Sequence, residues 1–433
     1  MDIFPFLLGV LIFLIGLSLS IGLHELGHLI PAKIFKVKVG KYMIGFGPTL
    51  FKRTWGETEY GLKALPLGGY ISMAGMFPPG TKSRSSASRN FFGKMVQDAR
   101  DASAETAENV DQSRLFYRLP VWKRIIIMFG GPFMNLVLAF VLFAIIVMTF
   151  GMPQSTTKLS AVAECTPANA SCAVADSPGA LAGLTVGDEV TAINGKVVTS
   201  WDDVSALIRP AAAQTLTFTV VRNGQIQDIS VTPIEAERTV FDSSGQPVRD
   251  STGQPLTEQV GYVGISPGTR LAPQPITAAF PLMGSTITGT ANMIATLPQR
   301  LVEVGQAAFG DAPRQLDGPI SVVGVGRVAG DIAESSQVTT DGKIASLLGI
   351  LASLNIALFV FNMLPLLPLD GGHIAGALWE LIRKGWSRLR NRPDPGPVDI
   401  ARLMPVTFVV VVVMIAMSAL LIYADIVKPV SIF

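Results

Sequence analysis

Residues 24–28 read HELGH. On a helix, the i, i+4 spacing turns the imidazoles of His24 and His28 to one face. Two neutral imidazoles converging on one point suit zinc (Zn2+), and Glu25 between them is placed to act on a water that the metal activates. The chain has 3 histidines, and the third, His373, stands three residues beyond Asp370. With histidine this rare, the spacing argues against chance. A catalytic zinc centre usually has three protein ligands and one open position. The third ligand must therefore come from elsewhere, and Asp370 and His373 are both candidates.

The element that carries HELGH is apolar. The run IFPFLLGVLIFLIGLSLSIGL precedes it and is long enough to cross a bilayer. Ionisable residues at that depth are expensive and mark a functional site by default. The composition agrees: 49% of residues are hydrophobic and 15% charged, against a soluble norm of roughly 25% charged. The first run is too long for a secretory signal core and no A-x-A site follows it, so it is expected to be retained as a span.

Four spans stand out, at about 3–30, 125–150, 344–367 and 406–427. The segment 276–297 is a weaker rival, interrupted by Pro281, Gly284 and several threonines, and reads as a membrane-adjacent or core helix. Lys and Arg outnumber Asp and Glu by more than two to one in 31–124 and by three to one in 381–402, whereas acids predominate in 151–343. Basic loops stay in the cytoplasm, so the N-terminus and 151–343 are expected outside. His24 then lies ~30 Å along the first helix from its outer end, near the cytoplasmic face.

Between the spans, residues 31–77 are rich in glycine and β-formers and read as hairpins at the cytoplasmic mouth of the bundle. Non-helical backbone at membrane depth is tolerated where protein buries it or water lines it, which makes this segment a candidate wall of a hydrated site. Residues 78–124 read as a cytoplasmic loop or short surface helix leading to interfacial anchors Phe116, Tyr117 and Trp122. Asn135 in the second span has a structural reading, bonding across helices, and a second one, proximity to the metal. Residues 159–235 read as a compact β-rich unit with turns at Asn194–Gly195 and Asn223–Gly224. Residues 236–343 read as an insertion followed by membrane-surface helices. Cys165 and Cys172 are the 2 cysteines; both fall in the outside segment, where a disulfide between them is favoured over two free thiols.

HELGH, GFGP (45–48), GGPFMN (130–135), GPISVVG (318–324) and NMLPLLPLDGG (362–372) occur in that order. Together they resemble the bacterial site-2 proteases, the intramembrane zinc metalloproteases of regulated intramembrane proteolysis. The core DSPGALAGLTVGDEVTAINGKVV resembles a bacterial PDZ domain, a module that binds extended peptides at a sheet edge. The resemblance implies zinc held by His24, His28 and Asp370, Glu25 as general base, and Asn362 as a substrate contact. It implies that His373 is not a ligand. Leu367 stands where the family motif has its second proline, with Pro368 next, which leaves the Asn362-to-Asp370 spacing intact.

The expected fold is a polytopic α-helical membrane protein with about four transmembrane helices, a membrane-reentrant β-segment on the cytoplasmic side and an extracytoplasmic α+β PDZ domain. Its spans cover 1–30, 125–150, 344–372 with the LDG motif, and 403–427, with 381–402 a basic cytoplasmic loop. The expected location is the bacterial inner membrane. Expected partners are single-span substrates such as anti-sigma factors or remnant signal peptides, a peptide on the PDZ domain, and membrane lipid, with no nucleic acid. A metal-ion transporter would also place His and Asp between helices but has no need of Glu25, and an inactive PDZ adaptor has no reason to keep it.

Overall fold

The computed structural model describes residues 3–78, 91–166, 177–240, 247–250, 254–310, 314–315 and 318–430. The chain divides into two compact units, Gly151–Gln274 and the remainder on either side of it. The first part of the larger unit runs α1 (Ile3–Ile34), β1 (Val39–Trp55), β2 (Thr58–Met73), α2 (Phe91–Ala107) and α3 (Val121–Ile145), the last extended by a π-helical turn at Ile146–Phe150. The second unit holds β3 (Met152–Val162), α4 (Pro178–Leu181), β4 (Glu189–Ile193), β5 (Lys196–Val197), α5 (Trp201–Ile208), β6 (Leu216–Arg222), β7 (Gln225–Val231), β8 (Ile234–Thr239), β9 (Thr257–Tyr262) and β10 (Ile265–Ala272). The larger unit resumes with α6 (Ala279–Ala295), α7 (Leu297–Phe309), α8 (Val322–Glu334), α9 (Thr340–Asn362), α10 (Asp370–Leu389) and α11 (Met404–Val427).

Four helical segments are long and apolar enough to cross a bilayer: Ile3–Ile34, Val121–Phe150, Thr340–Asn362 and Ile400–Val427. They fit a polytopic membrane protein. Their outward faces are unpolar, with Ile3, Phe4, Leu7, Val409, Val413 and Ile415 all exposed, as helices solvated by lipid require. α1 and α3 cross closely because both carry glycine at the crossing. A Cβ on Gly27 would stand 2.2 Å from the Gly130 carbonyl oxygen.

Two expectations change. The third span ends at Asn362, and Asp370 opens a separate helix, α10. Pro365 and Pro368 remove two N–H donors and push the residues before them out of the helical region, so 344–372 is not one helix. Half of the expected loop 381–402 is helical, because its basic residues form the polar side of α10 while Ile374, Ala377 and Glu380 are buried. The helix read at 276–297 is present, and it is not among the four candidate spans. A turn at Ile276–Ala278 leads into α6, and Pro281 falls in the first turn of that helix, where its missing N–H has no intrahelical partner to lose. The hydroxyls of Thr286, Thr288 and Thr290 donate back to carbonyls four residues earlier, which satisfies them without water.

β1 and β2 fold back on α1. Residues 41–44 pair with 59–62 and also with 69–72, while 51–55 close on 58–62. Tyr42 donates its hydroxyl to the Gly22 carbonyl of α1 at 2.6 Å. One apolar core, including Leu29, Val39, Met73, Ile127, Met128 and Ile374, joins α1, this β-element, α3 and α10. It fixes the helices that carry the chemically active residues.

The second unit is wider than the 159–235 expected. Its main sheet has the order β10-β3-β4-β6-β7, with β5 on β4, and β8 pairs with β9. β9 and β10, placed by sequence in an insertion, are therefore part of the unit. The pairing of β3 with β10 spans about a hundred residues, and local patterning carries no information at that separation. The core gathers Leu159, Val190, Ile193, Val204, Phe218 and Val220. Asp203 completes a capping box with Ser200 at the start of α5, and the hydrogen bonds it accepts from Thr199 and Ser200 hold its carboxyl down at about 2. Cys165 is disulfide-bonded; Cys172, the other member of the expected pair, lies outside the described residues.

Candidate metal centre

His24 and His28 come from the C-terminal part of α1 and Asp370 from the first residue of α10. His24 Nε2 and His28 Nε2 lie 3.3 Å apart, and Asp370 Oδ2 lies 3.3 Å from the first and 3.4 Å from the second. Among the described residues this is the group of three potential metal ligands that converges on one point. Tetrahedral N and O ligands at 2.0–2.1 Å from zinc stand ~3.3–3.4 Å from one another, so the spacing fits that ion. Asp370 Oδ2 is enclosed and has no hydrogen-bond partner, and a buried carboxylate oxygen without a partner calls for a cation. The donor set of two imidazoles and one carboxylate is zinc-type.

The far side of each imidazole is also held. His28 Nδ1–H donates to the Ile127 carbonyl at 2.7 Å, which leaves Nε2 with its lone pair. His24 Nδ1 lies 3.1 Å from the side-chain amide of Asn135. Asn135 is fully buried and its Oδ1 has no partner. The two ends of that amide exchange by a half-turn about χ2. With Oδ1 toward His24, the orphan oxygen gains a donor in Nδ1–H, and His24 Nε2 faces the metal side as a ligand. Both sequence readings of Asn135 hold, since its amide bonds across helices from α3 to α1 and its partner there is His24 of the metal centre. The GGPFMN motif has a steric reason here as well, since a Cβ on Gly131 would fall 2.2 Å from His28 Nε2.

Glu25, His24, His28, Asp370 and Asn362 line one cavity of about 380 Å³. Gly68, Gly69, Tyr70 and Ile71 of β2 line it as well. Gly68 has φ +94°, a conformation that favours glycine. A side chain on Gly69 would meet Glu25 Cγ, Ile21 Cγ2 and the Met43 carbonyl oxygen, each at 3.0 Å. The glycine pair thus brings backbone up to Glu25. Gly371 and Gly372 act similarly at the start of α10, where a Cβ on Gly371 would stand 2.2 Å from the Leu364 carbonyl oxygen. His373 lines the cavity, but its ring stacks on Phe77 at 6.2 Å and it is outside the converging group.

Two buried ion pairs escaped the sequence reading. Arg124 of α3 bonds Glu380 of α10 at 2.7 Å, and Lys384 reaches the same carboxylate at 2.9 Å. This clamps the helix that presents Asp370 to the helix that presents Asn135. Asp425, an acid within α11, accepts from Arg314 at 2.8 Å and from the Ser321 backbone N–H at 2.6 Å. Gly324 leaves room for it, since a Cβ there would be 2.4 Å from Asp425 Oδ2. That accounts for the glycine closing GPISVVG. A lone acid in an otherwise apolar span was the available signal for Asp425.

In the second unit, a groove of about 270 Å³ lies between α5, through Trp201, Ser205 and Ile208, and the segment Val260–Ile265. Arg222 grips Asp188 with two nitrogens at 2.7 Å and holds that carboxyl below the usual carboxylate range.

Comparison with known proteins places these residues in context. The profile of peptidase family M50 matches residues 12–392. The zinc metalloprotease Rip1 of Mycobacterium tuberculosis is 31% identical, with 99% of each chain covered. Rip1 of Mycolicibacterium smegmatis is 31% identical over 98% of this chain and 99% of its own. The metalloprotease MmpA of Caulobacter vibrioides is 28% identical over 87% of this chain and 89% of its own.

Proposed function

The chain belongs to peptidase family M50, the site-2 proteases, and is a zinc metalloprotease, and from that premise we propose that it hydrolyses peptide bonds in the transmembrane segments of single-span membrane proteins. The observation that carries this reading is the convergence of His24, His28 and Asp370 beside Glu25 at the end of an apolar helix. His24, His28 and Asp370 would hold the zinc. When bound, that ion supplies a water of lowered pKa and a Lewis acid for the scissile carbonyl.

The protein's own groups do the rest. Glu25 takes a proton from the attacking water and later delivers it to the leaving amine. Asn135 and the Ile127 carbonyl keep the two imidazoles turned to the metal side. A substrate helix hides its carbonyls in its own hydrogen bonds, so it must be unwound before attack. The β2 backbone at Gly68–Ile71 and the amide of Asn362 are our candidates for holding the extended segment. Gly68 and Gly69 favour that role because they bring strand backbone into the same cavity as Glu25.

We place the N-terminus and the second unit outside a bacterial inner membrane, following the basic loops. The second unit reads as a PDZ domain, with its peptide groove between α5 and Val260–Ile265 and with β10 as the edge strand of the sheet. Its ligand would be an exposed peptide end, and the protease substrates would be anti-sigma factors or remnant signal peptides. The decisive experiment is Glu25→Gln against a single-span reporter. Cleavage is expected to fall by at least about 100-fold with zinc content unchanged. Continued cleavage by the zinc-loaded variant would remove Glu25 from the mechanism.

A further inference from the structure

A second cavity of the helical unit is larger than that of the metal centre. It has a volume of about 810 Å³ and lies where the end of α1 meets the start of α3. Lys33, Lys36, Arg114, Arg118 and Lys123 all line it, against a single acid, Glu57. Arg114 takes that acid at 2.6 Å, and Lys33 donates to Thr58 Oγ1 at 2.8 Å. Among the described residues, no carboxylate pairs with Lys36, Arg118 or Lys123. α3 begins at the same cavity with Pro120 as its N-cap and no side-chain cap, so the first N–H groups of a 25-residue helix add positive potential there.

The walls place this cationic pocket at the membrane surface. Lys33 is in the last turn of one candidate span, and Lys123 is in the first turn of another. Phe35 and Trp122 pack edge to face at 5.5 Å, and the Lys123 ammonium lies 5.2 Å and 5.4 Å from their ring centres. Aromatic residues of this kind settle at the headgroup level. Leading away from the pocket, along the flanks of the two helices, Ile30 and Ile34 on α1 and Trp122 and Ile126 on α3 are exposed. The spacing is i, i+4 on each helix, so each helix presents an apolar strip beside the charged cavity.

We infer that this pocket binds the phosphodiester headgroup of an anionic phospholipid, with one acyl chain along the Ile30–Ile34 and Trp122–Ile126 strips. The shared chemistry is a phosphate anion; the strips are what favour a lipid over free phosphate, which has no use for them. The inference is independent of the cleavage reaction.

The test uses the full-length protein in mixed micelles of dioleoylphosphatidylglycerol and dioleoylphosphatidylcholine, with retained lipid read by native mass spectrometry. Wild type is expected to retain the phosphatidylglycerol in clear preference. The triple variant Lys36→Gln, Arg118→Gln, Lys123→Gln should lose at least tenfold in that retention, since each cation near a phosphate contributes about fivefold. Swapping each of the three for the other basic residue should preserve it, as should a control with Arg388, Arg390 and Arg392 changed to Gln. Lys36→Gln alone, at an exposed position, should lose about fivefold and serves if the triple variant does not purify as monodisperse protein. Unchanged retention in these variants overturns the inference, as does an equal loss in the control. Displacement of the lipid by millimolar inorganic phosphate also overturns it, since the pocket would then be a free-anion site.

Discussion

Asn135→Ala separates the metal-positioning role of Asn135 from a simple packing role. The amide sits 3.1 Å from His24 Nδ1 and is fully buried. Its removal loses one hydrogen bond with a net contribution of about 1 kcal/mol. It also frees the His24 ring to rotate and to place its proton on Nε2, which adds about 0.5–1 kcal/mol on the metal-binding side. The sum, about 1.5–2 kcal/mol, corresponds to roughly a 10- to 30-fold weaker zinc affinity, within the range seen for partners of metal-bound histidines. The assay is competition against a calibrated zinc chelator on purified protein, with thermal unfolding of the zinc-free form measured alongside. Asn135→Asp keeps an acceptor facing Nδ1–H and should retain zinc close to wild type. If Asn135→Ala binds zinc as tightly as wild type, Asn135 does not hold His24. If Asn135→Asp weakens as much as Asn135→Ala, packing alone explains the residue.

Other outcomes test the rest of the framework. Asp370→Ala should abolish zinc retention at concentrations that saturate wild type; normal zinc content would move the third ligand, with His373 first in line. Asp425→Ala should destabilise the helical unit by about 3–5 kcal/mol, because it strands the buried Arg314 guanidinium and the Ser321 N–H. Thermal unfolding in detergent reads that loss, and an unchanged midpoint would contradict the pairing. In the second unit, the folded-state pKa of Asp188 is lowered by Arg222. Its stabilisation is therefore complete above the ordinary value of about 3.9 and is lost as pH falls through the lowered one. Protection from hydrogen exchange in β4 and β6 should weaken in wild type below about pH 4, while in Asp188→Asn that protection should be weaker at neutral pH and flat across that window. Parallel pH profiles would place the acid sensitivity elsewhere.

Much of the architecture was legible because it is local. The apolar runs gave four spans, although their ends moved by several residues where Pro365 and Pro368 redirected the chain. The turns at Asn194–Gly195 and Asn223–Gly224 marked two hairpins, and both appear. The helical side of the 381–402 segment was missed because a basic run looks the same on a loop and on the polar face of α10. The β3–β10 pairing was missed because it joins residues that share no local period.

The sequence by itself determined that two imidazoles share one helical face inside an apolar segment, with the Glu25 carboxylate between them in the chain, since i, i+4 geometry follows from the helix alone. It also supplied Asp370 through a motif. Tertiary structure decided whether those groups meet. The ligand spacing near 3.3 Å depends on how α10 starts after a turn of glycines and prolines, and on how α1 and α3 close at Gly27 and Gly130. The tautomer of each histidine depends on atoms roughly a hundred residues away, the Ile127 carbonyl and the Asn135 amide. Such distances are set by packing of whole helices, and no local pattern in the chain encodes them.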